Sequence, residues 1–391
     1  MQAIMKLIEF QMSSLLFIAL AGYLLASRIN QSAVIGEILV GLIVGPSVLG
    51  LITYTDFVSS IAHLGAVVLL FVVGLEFRLE EIAKLKYALI ALAGVVLPWI
   101  VGYFVSELFG FPFNSSVFVG TSLTATSIAI TANVLKEMGK LQTAAARTII
   151  GAAVIDDVLG LLVLAISNGL VAGSVSASYL AIVFGKAILF LVAGALAGHF
   201  GFRRLIVLID GTDFVKRYPE STFIFTMMFA FLYGMAAELL GLSAIVGAFI
   251  AGASLGGLEL RQSKNLKEGS EFLQIIFASI FFVSLGILAD VRALQIGVIL
   301  FLLVLTVLAV LSKLIGCGVM AFLSRSSFKD SLIIGFGMSP RGEVAMIVAL
   351  IGLDKGLIKQ NIYVSIILMS LLTTVLTPII LRNWLYKEAA A

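Results

Sequence analysis

The chain has 391 residues, 61% of them apolar and only 12% charged, with a mean hydropathy of +1.16. A water-soluble domain carries charge on about a quarter of its residues, so a soluble fold is excluded. The net charge of +3 is too small to indicate a nucleic-acid partner, and the single cysteine, Cys317, rules out an internal disulfide.

Other classes fall on motif grounds. His63 and His199 are far apart, which leaves no transition-metal cluster. No Gly-rich nucleotide loop with a following Lys-Ser/Thr is present. The run Met12 to Ala26 has the length of a signal peptide, but the topology needs it as a span. The apolar runs are continuous rather than alternating, which excludes a β-barrel.

Hydropathy places spans at 7–27, 33–50, 58–76, 86–108, 114–135, 143–169, 178–200, 221–239, 241–257, 270–288, 293–323, 329–351 and 362–385. Eighteen basic residues, Arg78, Arg203 and Arg204 among them, fall after odd-numbered spans or at the C-terminus; four, Lys6, Arg292, Lys355 and Lys359, fall on the other side. The positive-inside rule then puts the N-terminus outside and the C-terminus in the cytoplasm. The class is an all-α polytopic membrane protein of thirteen transmembrane helices.

The second span contains VIGEILVGLIVG and the ninth IVGAFIAGASLG, so Gly36, Gly41 and Gly45 repeat the spacing of Gly247, Gly252 and Gly256. A weaker echo links VGTSLTATS from Val119 with IGFGMSPRG from Ile334. The charge pattern makes the second and ninth spans antiparallel, as in an inverted repeat of six spans plus six joined by the seventh. Secondary transporters are built this way, with the site near midplane.

Two spans hold what helices tolerate poorly. The fifth carries Thr124, Thr126, Ser127 and Thr131; the twelfth carries Ser339, Pro340, Arg341 and Gly342. Pro340 lacks an N–H and blocks an upstream carbonyl, so that helix is expected to break. The threonines could instead bond back to their own helix.

The sixth span, Thr143 to Gly169, holds adjacent carboxylates, Asp156 and Asp157. One acid at the centre of a membrane helix costs roughly 2.5–3.5 kcal/mol on insertion scales, so such a pair is kept where it is paired, hydrated or used. Asp156 lies roughly 20 Å along its span from the cytoplasmic end, and Lys313 roughly 15 Å along the eleventh. Both fall near the level of Thr126 and Arg341. The full intramembrane set is Asp156, Asp157, Lys186, Lys313, Arg341 and Glu343: three acids and three bases. Lys186 is close enough to an outer end to snorkel. Arg341 with Glu343 reads equally well as a structural pair. His63 and His199 read as interfacial.

Neighbouring helix residues point about 100° apart. One aspartate can therefore face a lysine while the other faces a water path. Two close carboxylates with little water share their negative charge poorly, so a proton can be retained there. A carboxylate that holds H⁺ or a hard cation, but never both, is an exchanger. The broken helices supply further oxygen ligands.

Val34–Gly50, FVVGLEF (Phe71–Phe77), TATSIAITANVLKEMG (Thr124–Gly139), GAAVIDDVLGLLVLA (Gly151–Ala165), Lys313 and MSPRGEVAMIVA (Met338–Ala349) together resemble the monovalent cation:proton antiporter superfamily. The branch is that of NapA- and NhaA-type sodium/proton antiporters, and the resemblance runs in order along essentially the whole chain. The membrane half of glutathione-gated potassium efflux proteins is also similar. Those usually have Gln-Asp where this chain has Asp156-Asp157, and a nucleotide-binding domain of which this sequence holds none.

The resemblance implies two crossed broken helices. It implies that Asp157 binds the ion, that Asp156 is a second ligand or pairs with Lys313, and that Thr126, Ser127, Thr131, Arg341 and Glu343 support the site. Two-Asp members are generally electrogenic, moving two H⁺ per Na⁺. The implied partition puts spans 1–4 in 1–108, spans 1–3 of them in a dimer domain and the fourth in the core. Residues 109–177 follow as core, 178–220 as a linker helix, 221–292 as the rest of the dimer domain and 293–391 as core. A homodimer in a prokaryotic inner membrane follows, with Na⁺ or Li⁺ and H⁺ as cargo and no cofactor. The tail Ala389-Ala390-Ala391 reads as an added scar, which leaves room for a removed C-terminal domain.

The expected function is Na⁺/H⁺ antiport, with K⁺/H⁺ antiport or gated K⁺ efflux as the alternative. An organic-anion symporter of the bile-acid type is disfavoured because adjacent aspartates repel anions. An enzyme is disfavoured too. Intramembrane aspartyl proteolysis needs acids from two helices meeting face to face, and these are neighbours on one.

Overall fold

Long apolar runs punctuated by Gly, Pro and basic residues leave backbone groups no partner in lipid other than their own helix. In the computed structural model, which describes residues 7–79, 84–174, 176–258, 260, 266–293 and 296–387, every regular element is accordingly helical. The Ala389–Ala391 tail, Arg261 and Lys264 lie outside the described residues.

In chain order the helices are α1 (Ile8–Arg28), α2 (Ala33–Val44), α3 (Asp56–Leu75), α4 (Leu85–Leu108), α5 (Phe113–Thr124), α6 (Ile128–Glu137) and α7 (Ala144–Val171). After these come α8 (Ala177–Leu196), α9 (Arg203–Asp210), α10 (Asp213–Arg217), α11 (Glu220–Leu239), α12 (Ala244–Leu255) and α13 (Leu266–Leu288). The last are α14 (Ile299–Lys313), α15 (Met320–Leu323), α16 (Phe328–Gly337), α17 (Glu343–Asp354) and α18 (Gln360–Ile380). Ten helical runs among the described residues are long and apolar enough to cross a bilayer, and α2 and α12 are shorter apolar helices.

Local chemistry explains several ends. Thr143 caps α7 by accepting from Ala146 N at 3.2 Å. Ser327 accepts from Asp330 N at 3.0 Å and donates to the Asp330 carboxylate at 2.8 Å, closing the start of α16. Hydropathy carries the second span to residue 50, but α2 stops at Val44. Gly45 precedes Pro46 and takes an extended ψ of −172°, because a following proline disfavours helix. Hydropathy ends the seventh span at 200. Instead α8 runs through a π-turn, Ala197–Phe202, into α9. The sequence RRLIVLID there is amphipathic rather than uniformly apolar, so a hydropathy window ends too early.

The chain packs as two compact units. One comprises Met1–Ser59, Lys84–Ser176 and Phe282–Ala391. There α2 lies against α1 and against the end of α13. A Cβ at Gly36 would strike the Gly22 carbonyl, and one at Gly41 the Val283 carbonyl. In the same unit α4 packs on α5, α7 and α14, and α18 on α14 and α17.

The other unit comprises Ser60–Ala83 and Ala177–Phe281. Its core is Val68, Phe71, Phe202, Ile206, Met227, Ala248 and their neighbours, with Phe202 stacked on Phe229 at 3.9 Å. Here α12 lies against α11 and α3. A Cβ at Gly247 would strike the Tyr233 carbonyl, and one at Gly252 the Phe71 carbonyl. The two glycine triplets thus do one job, bringing a short helix backbone to backbone with the helix before it and with a second helix.

Candidate functional site

The break after α5 spans 125–127 and the break after α16 spans 338–342, both in the first unit. They are pinned to each other. Ser127 N donates to the Pro340 carbonyl at 2.9 Å, Thr131 Oγ1 to the Gly337 carbonyl at 2.6 Å and Thr126 Oγ1 to the Met338 carbonyl at 3.4 Å. Pro340 has no N–H to give, and its carbonyl is the acceptor here. The threonine-rich segment divides its work. Thr124 bonds back to the Thr121 carbonyl at 2.7 Å, whereas Thr126 and Thr131 cross to the other break.

Beside the crossing is a buried ion pair. Lys313 Nζ donates to Asp156 Oδ1 at 2.9 Å, with the side chains 0% and 1% exposed. Among the described residues Asp156 Oδ2 has no hydrogen-bond partner, and Thr126 stands at the same carboxylate. Asp157 is half-buried and within electrostatic reach of Asp156, Glu343 and Lys313. The two aspartates therefore occupy different settings, one in a dry pair and one partly open. Among the described residues no three His, Cys, Asp or Glu side chains gather as a metal site.

Arg341 is wholly buried. Its Nη1 donates to the Met338 and Ser339 carbonyls at 3.3 and 2.7 Å, and its Nη2 to the Ala309 carbonyl at 3.2 Å. These donors go to carbonyl oxygens rather than to a carboxylate. A guanidinium next to the end of α16 meets carbonyls that the interrupted helix leaves without partners, and a cation suits that negative end. Glu343 is the first residue of α17, half-buried, with an interaction of its own. Lys186 is exposed on α8 in the other unit. His63 meets Glu238 at 3.3 Å.

Residues not singled out by sequence also build the site. Thr373 accepts from Arg341 N at 3.2 Å, and Thr374 donates to the Arg341 carbonyl at 2.8 Å, so α18 holds the second break from behind. Their signal was there: adjacent buried hydroxyls in an apolar span. Gly94 on α4 carried no comparable signal. A Cβ there would sit 3.4 Å from Lys313 Nζ and would collide with Cys317 Sγ. Cys317 belongs to the π-turn Leu314–Val319 that follows Lys313 directly. Gly94→Ala should therefore overpack the Lys313 seat and lower stability by about 1–3 kcal/mol. Thermal unfolding checks it, and Cys317→Ala in the same chain should return most of the loss; no recovery would disprove the contact.

An all-helical fold with membrane-length apolar helices, in which two segments are broken and joined break to break beside buried charges, has the architecture of a secondary transporter. The family profile described as "Sodium/hydrogen exchanger, transmembrane" matches residues 15–387, and the chain belongs to that family of multi-pass transporters. It is 35% identical to the Na⁺/H⁺-K⁺ antiporter GerN of Bacillus cereus over 360 residues, covering 92% of this chain and 91% of the relative. It is 33% identical to a Na⁺/H⁺ antiporter of Enterococcus hirae over 377 residues, covering 94% and 95%. Its fold is similar to that of the sodium proton antiporter MjNhaP1 from Methanocaldococcus jannaschii, with a TM-score of 0.74, 19% identity and 96% of each chain covered.

Proposed function

We propose that the protein is a secondary-active Na⁺/H⁺ antiporter that also accepts Li⁺, works by alternating access and moves two H⁺ per Na⁺. The observation that carries this reading is the dry Lys313–Asp156 pair beside a half-open Asp157, next to two helix breaks bonded to each other.

On this reading Asp157 is the primary ligand, holding Na⁺ or a proton but not both. Na⁺ draws Asp156 from Lys313 as a second ligand. The ammonium thus released loses a proton, and reforming the pair after Na⁺ leaves takes one up. Asp157 accounts for the other proton. Thr126, Ser127 and Thr131, with Arg341 and Glu343, keep the broken segments in register while the ion binds. Two protons inward per Na⁺ outward move one net charge, worth ~2.3 kcal/mol per 100 mV. This is the electrogenic two-aspartate type of the NapA and NhaA branch.

The same reading takes the fold as thirteen spans in inverted repeats. The matched close packing of Gly36 and Gly41 with that of Gly247 and Gly252 supports it. The N-terminus lies outside and the C-terminus in the cytoplasm. A core of span 4, 109–177 and 293–391 moves against a dimer domain of spans 1–3 and 221–292, with 178–220 as linker, and two copies associate through the dimer domains.

The name of the Bacillus cereus relative includes K⁺, which favours K⁺/H⁺ exchange as the second reading. Purified protein in proteoliposomes, supplied in turn with Na⁺, Li⁺ and K⁺ from mildly acid to mildly alkaline pH, separates the two. Na⁺ and Li⁺ should drive proton movement, and a membrane potential should change its rate. Exchange that ignores potential at both polarities would remove the two-proton stoichiometry. Because Na⁺ binding on this reading displaces two protons, from Asp157 and from Lys313, the apparent KM for Na⁺ should rise as pH falls, approaching about a hundredfold per pH unit at the acid limit. A KM indifferent to pH would contradict a shared site.

A further inference from the structure

We infer that the second unit carries a separate ligand site, a basic cavity that takes a phosphate-bearing anion. The cavity measures about 380 Å³ and is lined by Arg78, His199, Arg203, Ala253, Gly256 and Gly257 among others. Arg203 Nη1 donates to the Gly256 carbonyl at 3.4 Å. That bond fixes the guanidinium at the rim and leaves its other N–H groups for a guest. Gly257, at φ +69°, stands where a Cβ would come within 3.2 Å of Arg78 Nε. Its bare backbone makes room for the Arg78 head. Among the described residues no carboxylate pairs with either guanidinium. His199, edge-on to Phe200, has an interaction of its own and adds a polar wall.

Two guanidiniums on one small cavity, neither paired with a carboxylate among the described residues, suit the oxygens of a phosphate, which accept paired N–H bonds in fork geometry. A carboxylate is a poorer match for two forks meeting from separate segments, one just past the end of α3 and one at the start of α9. Depth points to the source. A hydrocarbon core of ~30 Å needs about 20 helical residues. Counted from Ala177 these are used up at Leu196, and the turn bearing His199 and Arg203 begins at the next residue. α3 is also 20 residues long, Asp56–Leu75, and Arg78 follows just beyond it. Both arginines thus stand at the level of lipid headgroups. Basic pockets between helices at that level hold anionic headgroups, and the same oxygens occur on free phosphate.

The test is the melting temperature of the purified full chain in neutral detergent with phosphatidylglycerol, phosphatidylcholine or inorganic phosphate added. A bound guest raises it. Phosphatidylglycerol should raise it and phosphatidylcholine should not. Arg78→Ala/Arg203→Ala should weaken the phosphatidylglycerol effect about tenfold in concentration. Arg204→Ala, which removes an exposed charge next to the cavity, should leave it unchanged. If the alanine pair misfolds, Arg78→Gln/Arg203→Gln keeps the stems and removes the charges. An arginine-dependent rise with inorganic phosphate alone would support the cavity and identify a free anion as its guest. No rise with either compound, or an undiminished rise in the double variant, would overturn the proposal.

Discussion

Asp157→Asn should reduce Na⁺-driven proton movement in proteoliposomes to the level of protein-free liposomes while leaving the fold intact. Asparagine keeps the size of the side chain and its hydrogen-bonding capacity but holds neither a proton nor the charge that draws in a hard cation. Asp157 is half-buried, and its electrostatic neighbours include two acids, Asp156 and Glu343. Removing one negative charge from such a cluster relieves repulsion, so the melting temperature should hold or rise. Loss of transport with retained stability is the signature of a binding carboxylate. Parental exchange rates in this variant would overturn the assignment.

Lys313→Ala should act in the opposite way, on stability first. Its ammonium is 0% exposed and meets a carboxylate that is 1% exposed, at 2.9 Å. Taking away one partner of a buried pair strands the other charge, at a cost of about 3–5 kcal/mol. Thermal unfolding in detergent reads this directly. The double variant Asp156→Asn/Lys313→Met should recover much of the loss, because removing both charges leaves no uncompensated one. Transport by Lys313→Ala should also change its dependence on pH, since one of the two proposed proton carriers is gone. An unchanged pH profile would argue that the lysine only props up the fold. No recovery in the double variant would mean that packing around the alkyl stem, and not charge, sets the cost.

Much of this site was readable because lipid makes polarity conspicuous. Asp156, Asp157 and Lys313 stand out in apolar runs, and Pro340 announces a break by its chemistry. Adjacency said only that one aspartate can face a lysine while its neighbour faces elsewhere; that the pair is Asp156 with Lys313 was implied by the family resemblance. The partner of Arg341 did not follow. A guanidinium near a glutamate invites an ion pair on paper, yet a helix end next to it offers carbonyls already aligned and short of donors. Gly94 gave no sign at all. Glycine is common in membrane helices for packing, and only the position of Lys313 and Cys317 across from it turns an ordinary residue into a seat for the ammonium.

The sequence by itself determined the helical membrane class, the break at Pro340 and the identity of the charged residues, because hydropathy, proline chemistry and the cost of burying charge act locally along the chain. Tertiary structure alone decided which carbonyls meet which hydroxyls at the breaks, where Arg341 spends its donors and how Arg78 and Arg203 come to share one cavity. Those contacts join residues far apart in the chain. Their geometry is set by how closely helices approach, to within the width of a missing methyl group at Gly36, Gly41, Gly247 and Gly252, and no local pattern encodes it.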